Sequence, residues 1–416
     1  MDNEGFVNRN KSYSSDFTRN RKLSFKNLIV SLLSFTRPSV QTELDRFFKA
    51  LSKSSDSIET ISKSAFTQSR RKLKPEAFIE LAKSQLKYFD NHAPNKKTWK
   101  GCRVVSIDGS LLNLPPTEEI KKEFGAVSNQ YEEVVSARCS FAYDVCNELI
   151  LDATIAPRRS CEKDLAVRHL DSLNPARDIL VFDRGYPCQW LMGLLNKKGF
   201  KFCFRLSTAW KQAYSYMQEG GNDKDWDLER ASHREWGKLK TYGLSRKIKG
   251  LRLVSIKLSS GEQELLVTNI VDREKFSFND LKELYNLRWR IEEAFKILKK
   301  TLHIEHFTGK SANAVKQDFH AKVFMMNMAS MVRSQGVKTK QKASKKYQYQ
   351  ANKTQVLAKL KDFLIDIFCI NRLTTMIKQM LSILHTRKEM VRPGRSFPRN
   401  ATSSRRRHKI INSKGI

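Results

Sequence analysis

With 416 residues and 40% hydrophobic content the chain is long enough to bury two or three cores, which excludes a short peptide or a wholly unstructured polymer. Its 77 Lys and Arg against 43 Asp and Glu leave a formal charge of +34, which demands a polyanionic partner; nucleic acid stands ahead of an anionic membrane surface, since each phosphate contact releases a counterion. The polar opening "MDNEGFVNRNKSYSSDF" is not expected to be a leader, no run suits a membrane span, and the seven cysteines form no C-x-x-C pair, which argues against a zinc site or a disulfide scaffold and for a reducing cytoplasm.

Residues 1–97 are expected to be helical. "FKNLIVSLLSF" ends at Thr36-Arg37-Pro38, and Ser39 then caps "VQTELDRFFKAL". Ser64 is the expected cap of a short helix reaching Leu73, with Pro75 as the first residue of the next. Short helices carrying Arg70-Arg71-Lys72 suit a helix-turn-helix DNA reader, and they suit a helical lobe with a charged face equally well. Asn91 to Lys97 reads as a linker.

The period changes over residues 98–207. "RVVSID" is a buried strand, and "SARCSFAYDVCNELILDATI" is an antiparallel hairpin turning at Val145-Cys146-Asn147-Glu148. Glu162 to Leu173 is helical, "DILVFD" is a strand covered on both faces, Cys188 to Lys198 is helical and "KFCFRLS" is a strand again. That order predicts an α/β domain with a mixed sheet.

Residues 208–275 read as a β-rich insertion built on the hairpin "LRLVSIKLSS-GEQ-ELLVTNIV", either facing nucleic acid or an ordinary surface hairpin. Helices return over 276–335. In the C-terminal region, 336–416, Val356 to Leu384 is expected to be one amphipathic helix rather than a span, because Lys359, Lys361, Asp362, Asp366 and Arg372 interrupt it. The basic tail after Arg387 is expected to stay disordered until it meets a polyanion.

Three carboxylates stand out. Asp108, in "VVSIDGS", and Asp183, in "ILVFDRGYP", each end an apolar strand, where open α/β sheets put their ligands. Alone, Asp108 reads as part of an Asp-Gly turn and Asp183 as a helix cap; together they form an oxygen-ligand pair for a divalent cation. The third lies in "YNLRWRIEEAFKILKK". On one continuous helix of about 100° per residue, Tyr285, Arg288, Glu292 and Lys299 share an arc of about 60° beside the apolar stripe, and Glu293 falls well off it. Glu292 is therefore the candidate, against the alternative of an ordinary Arg288–Glu292 pair at i, i+4. Of the other candidates, His303, Glu305 and His306 do not converge as metal ligands. Met325, Met326 and Met328 are core, and Trp236 is either core or a base-stacking residue.

The spacing Tyr285, Arg288, Glu292, Lys299 resembles the Y-R-E-K signature of bacterial insertion-sequence transposases of the family named after insertion sequence four. Asp108 and Asp183 fall where that family has the first two acids of its D-D-E triad. "FTQSRRKLKPEAF" and "FTGKS" also look like family segments. The resemblance, over residues 40–335, implies an RNase H-like catalytic domain (98–207 and 276–335) carrying the insertion 208–275. It implies that Asp108, Asp183 and Glu292 are catalytic and hold two Mg²⁺ ions, with Mn²⁺ able to substitute. Tyr285, Arg288 and Lys299 would bind DNA. The implied partners are double-stranded DNA, as element inverted repeats and target, and a second copy of the chain in a homodimer. The implied reaction is hydrolysis followed by strand transfer, in the bacterial cytoplasm at the nucleoid, with no membrane. The alternatives are an RNase H-like nuclease without joining activity and a non-catalytic DNA-binding protein derived from a transposase.

Overall fold

The computed structural model describes residues 1–416 except 36–38, 53–60, 95, 129, 131–132, 220, 230–232, 258–262, 336–348, 371–372, 387 and 391–416. The helix stop expected at Thr36-Arg37-Pro38 and most of the basic tail lie outside the described residues. The chain divides into two compact units, Met1–Ala82 with Thr301–Ile416, and Lys83–Lys300.

The first unit opens with α1 (Glu4–Asn10), α2 (Phe25–Ser34), α3 (Val40–Leu51) and α4 (Lys63–Arg71), followed by α5 (Glu76–His92). The first four start in the same way. Asn3, Ser24, Ser39 and Ser62 each accept a hydrogen bond from the backbone N–H three residues on, so an otherwise orphaned donor is satisfied. Ser62, not Ser64, is the cap of α4, because its side chain reaches Ala65 N.

The second unit is built on nine strands: β1 (Arg103–Asn113), β2 (Ala126–Ser128), β3 (Glu133–Asp144), β4 (Leu149–Pro157), β5 (Asp178–Phe182), β6 (Lys201–Arg205), β7 (Asp223–Leu228), β8 (Ile248–Lys257) and β9 (Gln263–Thr268). Its helices are α6 (Glu118–Phe124), α7 (Glu162–His169), α8 (Gln189–Lys197), α9 (Lys211–Gln218), α10 (Trp236–Thr241), α11 (Phe278–Leu287) and α12 (Trp289–Lys300). β3 pairs antiparallel with both β4 and β1, then β1, β5 and β6 run parallel. This order, three antiparallel strands and then two parallel ones, is an RNase H-like mixed sheet. Among the described residues of the block 208–275, β9 pairs with β6, and β8 and β7 follow, so the block prolongs the same sheet.

One buried ion pair sets the register at the centre. Arg103 Nε and NH2 donate to both oxygens of Asp178, at 2.8 and 2.7 Å, and Asn174 N donates to the same carboxylate at 2.7 Å. Arg103 and Asp178 are direct partners across β1 and β5. Asp108 and Asp183 each lie five residues further along their strands. Asp108 does not end its strand, contrary to the expectation from sequence. β5 pairs with β1 only as far as Ser106↔Val181, while β3 accompanies β1 to Asn113. Asp108 is thus level with the end of the parallel half-sheet but in the middle of its own strand. α12 packs on β1, and its Phe295 ring lies 5.1 Å from that of Phe141 on the adjacent β3; α7 packs on β1, β3 and β4.

The chain returns to the first unit with α13 (Ala312–Gln335), a short pairing of β10 (Tyr349–Ala351) with β11 (Lys388–Met390), α14 (Lys353–Phe368) and α15 (Leu373–Thr386). The expected single helix over Val356–Leu384 is two, parted after Phe368. Among the described residues no helix is long and apolar enough to cross a membrane. Arg70, 4% exposed, joins the two family-like segments of this unit. Its guanidinium donates to Gln317 Oε1 (2.6 Å), Thr308 Oγ1 (2.6 Å), Ala314 O (2.7 Å) and Asp318 Oδ1 (2.6 Å). "FTQSRRKLKPEAF" thus supplies the cation, and "FTGKS" a hydroxyl that it binds. Gly309 is required there, since a Cβ would lie 2.5 Å from that of Ala314.

Candidate active site

Three elements of the second unit deliver the three carboxylates. β1 carries Asp108, the turn after β5 carries Asp183, and the first turn of α12 carries Glu292. Each has a local partner for one oxygen. Gly109 N donates to Asp108 Oδ1 at 2.8 Å, Gly185 N to Asp183 Oδ1 at 2.8 Å, and Arg288 NH2 to Glu292 Oε1 at 3.1 Å. The glycines have steric reasons to be there. A Cβ at Gly109 would sit 3.1 Å from Cys139 O and close to the Glu162 carboxylate, and one at Gly185 would sit 3.2 Å from Asp183 Oδ1.

Electrostatics tie the three together. Burial pushes the Asp108 carboxyl up to about 6; the Gly109 N–H opposes this, Asp183 and Glu292 reinforce it, and Arg288 opposes it. Among the described residues, however, no three of His, Cys, Asp and Glu are drawn close enough to hold a metal ion. The donor set itself, all carboxylate oxygen, fits a hard divalent cation.

The remaining signature residues lie deeper than a surface grip requires. Tyr285 is 1% exposed, and its hydroxyl has no hydrogen-bond partner among the described residues. Arg288 is 5% exposed, with its guanidinium 4.6 Å from the Trp289 ring centroid and 5.6 Å from that of Tyr285. Its Nε is likewise buried without a partner. Lys299 Nζ donates to Leu111 O at 2.9 Å. The single helical wheel does not hold across this segment. α11 stops at Leu287, and Arg288 N reaches back only to Tyr285 O and Asn286 O instead of four residues, so the tightened turn rephases α12. Within α12, Glu292 is half-buried and Glu293 exposed.

Sequence reasoning passed over several neighbours. Tyr186, three residues after Asp183, is 1% exposed, and Asp108 and Asp183 both act on its phenol. Arg138 pairs with Glu162, whose carboxylate crosses the bare Cα of Gly109. The only signal for Tyr186 was its place in "DRGYP". Below the sheet, His169 bonds Asp152 Oδ2 through Nδ1 (2.6 Å) and Ser140 Oγ through Nε2 (2.9 Å). That Ser-His-Asp array is a strut joining β3, β4 and α7, because Ser140 and His169 are wholly buried.

A family profile described as a transposase DDE domain matches residues 99–328, more than half of the chain, a span that holds all three acids and Tyr285, Arg288 and Lys299. This chain belongs to the transposase DDE domain family. Among curated proteins, the transposase InsG for insertion sequence element IS4 of Escherichia coli (strain K12) is 20% identical over 295 residues, 64% of this chain. The chain spans 60% of the length of that relative. Among solved structures, a piggyBac transposase synaptic complex with hairpin DNA aligns with a TM-score of 0.46 at 12% identity, covering 89% of this chain and 77% of the other. In this transposase-family chain the RNase H-like half-sheet and the acid cluster both fall inside the matched span.

Proposed function

We propose that this protein is a DNA transposase that hydrolyses a phosphodiester bond at the inverted-repeat ends of its own element and then joins the freed 3′-hydroxyl to target DNA. The observation that carries this reading is the match of residues 99–328 to the transposase DDE domain, a span that holds Asp108, Asp183 and Glu292. Asp108, Asp183 and Glu292 would hold Mg²⁺, with Mn²⁺ able to substitute. Two such ions supply an activated water and a stabilised leaving oxygen for in-line displacement at phosphorus.

The chain's own residues orient the DNA. Arg288 presents a planar fork suited to a phosphate, Lys299 a point charge, and Tyr285 a hydroxyl with an unused hydrogen bond. The helical segment 1–97 and the basic, partly aromatic surface of 208–275 are proposed to bind duplex DNA, where Arg246 stacks 3.8 Å over the half-exposed Trp236. The protein is proposed to act as a homodimer across paired ends, in the bacterial cytoplasm at the nucleoid.

One observation favours a second reading, a non-catalytic DNA binder. Glu292 is engaged by Arg288 at ordinary helix spacing, and no three donors are drawn together among the described residues. Cleavage of the element's end DNA with Mg²⁺, native against Glu292→Gln, decides between them. The transposase reading expects a 3′-hydroxyl product from the native protein, and a variant that binds the same DNA but cuts at least about 100-fold more slowly. Equal binding with no cutting by either protein would establish the binder.

A further inference from the structure

The residue on which the structure says most, and the proposed reaction so far uses least, is Tyr186. It closes the turn Asp183-Arg184-Gly185-Tyr186, and its N–H reaches Asp183 O at 3.4 Å. Its ring is 1% exposed and lies 5.3 Å from that of Phe182 on β5. The ring is therefore fixed by packing, yet its hydroxyl oxygen is buried without a hydrogen-bond partner among the described residues. A buried hydroxyl without a partner carries a cost, and a ligand or water that arrives at it removes that cost. The aspartates are not its partner in this state: Gly109 and Gly185 hold one oxygen of each, and the phenol bonds neither. The turn that holds Tyr186 also carries Asp183 and closes on its carbonyl, so a neutral phenol is held beside the proposed site and offers a proton to hydrogen-bond.

We propose that the Tyr186 hydroxyl donates a hydrogen bond to the oxygen that docks between Asp108 and Asp183, either the attacking water or a non-bridging oxygen of the scissile phosphate. This rests on the transposase reading given above. The phenol adds a fixed donor on the strand side of the site and complements Arg288: Arg288 brings charge, and Tyr186 brings direction.

Tyr186→Phe tests it, since the ring and its packing are kept. Three quantities are measured on native protein and variant: the thermal midpoint without metal, Mn²⁺ affinity without DNA by water-proton relaxation, and kcat with KM for cleavage of an end oligonucleotide with Mn²⁺. The expected result is an unchanged midpoint, because the hydroxyl makes no internal bond, with kcat lower by about 10- to 100-fold and KM little altered. A weaker Mn²⁺ affinity in the absence of DNA assigns the bond to the water, and an unchanged one to the phosphate oxygen. A variant that cuts at the native rate overturns the inference. So does a lowered midpoint, which would mean that the hydroxyl serves the fold. If the native protein neither binds Mn²⁺ nor cuts, the transposase reading falls and this inference with it; if the native protein does both and the variant equals it, only this inference falls.

Discussion

At the scale of single residues the site conflicts with the stability of the chain, and Asp108 is where the conflict is measurable. Its carboxyl is pushed up to about 6 from an ordinary 3.8, chiefly by burial and then by Asp183 and Glu292. The folded chain therefore holds this proton better than the unfolded chain does. The stabilisation is fully present below pH 4 and is lost as pH rises through 6, so at pH 7 the ionised group costs about 2–3 kcal/mol. Asp108→Asn removes the charge and keeps an acceptor for Gly109 N. In the metal-free protein it is expected to raise the urea unfolding free energy at pH 7 by about 2 kcal/mol and to flatten its slope between pH 4 and 6, while abolishing cleavage. Equal unfolding profiles for native protein and variant would mean that Asp108 does not bear the strain of its neighbours. The apolar runs that carry Asp108 and Asp183 were legible as strands, although β1 continues past Asp108 to Asn113. The burial of Tyr285 and Arg288 was not legible, because a wheel reports direction about an axis and says nothing of what packs above it.

At the scale of elements, local pattern found what local chemistry determines. The turn Val145–Glu148 between β3 and β4 is where hydropathy and turn residues put it, helped by Glu148 at φ 58°, and Ser39 caps α3 as expected. Features fixed by a distant partner were missed. Asp-Gly looks like a turn, but the Gly109 N–H is taken by its own neighbour's carboxylate and the β3 ladder carries β1 past it to Asn113. Likewise nothing within 208–275, read as a β-rich hairpin block, reveals that Leu266 will face Arg205 on β6. The register that aligns Asp108 with Asp183 rests on Arg103 and Asp178, whose side chains are 11% and 0% exposed. Arg103→Met would leave the Asp178 carboxylate buried with its bidentate partner gone. It is expected to cost about 3–5 kcal/mol of unfolding free energy. It is also expected to slow cleavage by more than the unfolded fraction accounts for, since the two aspartates lose their alignment. Denaturant titration checks the first part, and cleavage measured where the variant is still folded checks the second. A variant as stable as the native protein would show that strand pairing alone sets the register.

At the scale of the whole molecule, charge and chemistry are separated along the chain. The three acids proposed for the site lie within Lys83–Lys300, whereas residues 391–416 carry Arg392, Arg395, Arg399, Arg405, Arg406, Arg407, Lys409 and Lys414 and no acid. A stretch of that composition adds affinity for a polyanion without adding sequence preference, because phosphate contacts position and base contacts specify. Ending the chain at Met390 is therefore expected to leave kcat at saturating DNA unchanged and to weaken binding of the element end and of unrelated duplex alike. The slope of log affinity against log salt is expected to become shallower by about 0.9 for each phosphate that the shortened chain no longer neutralises. Fluorescence anisotropy over a salt series reads both quantities. Weakening confined to the element end would instead give the tail a part in reading sequence, and an unchanged slope would mean that the surplus charge acting on DNA resides in the two folded units.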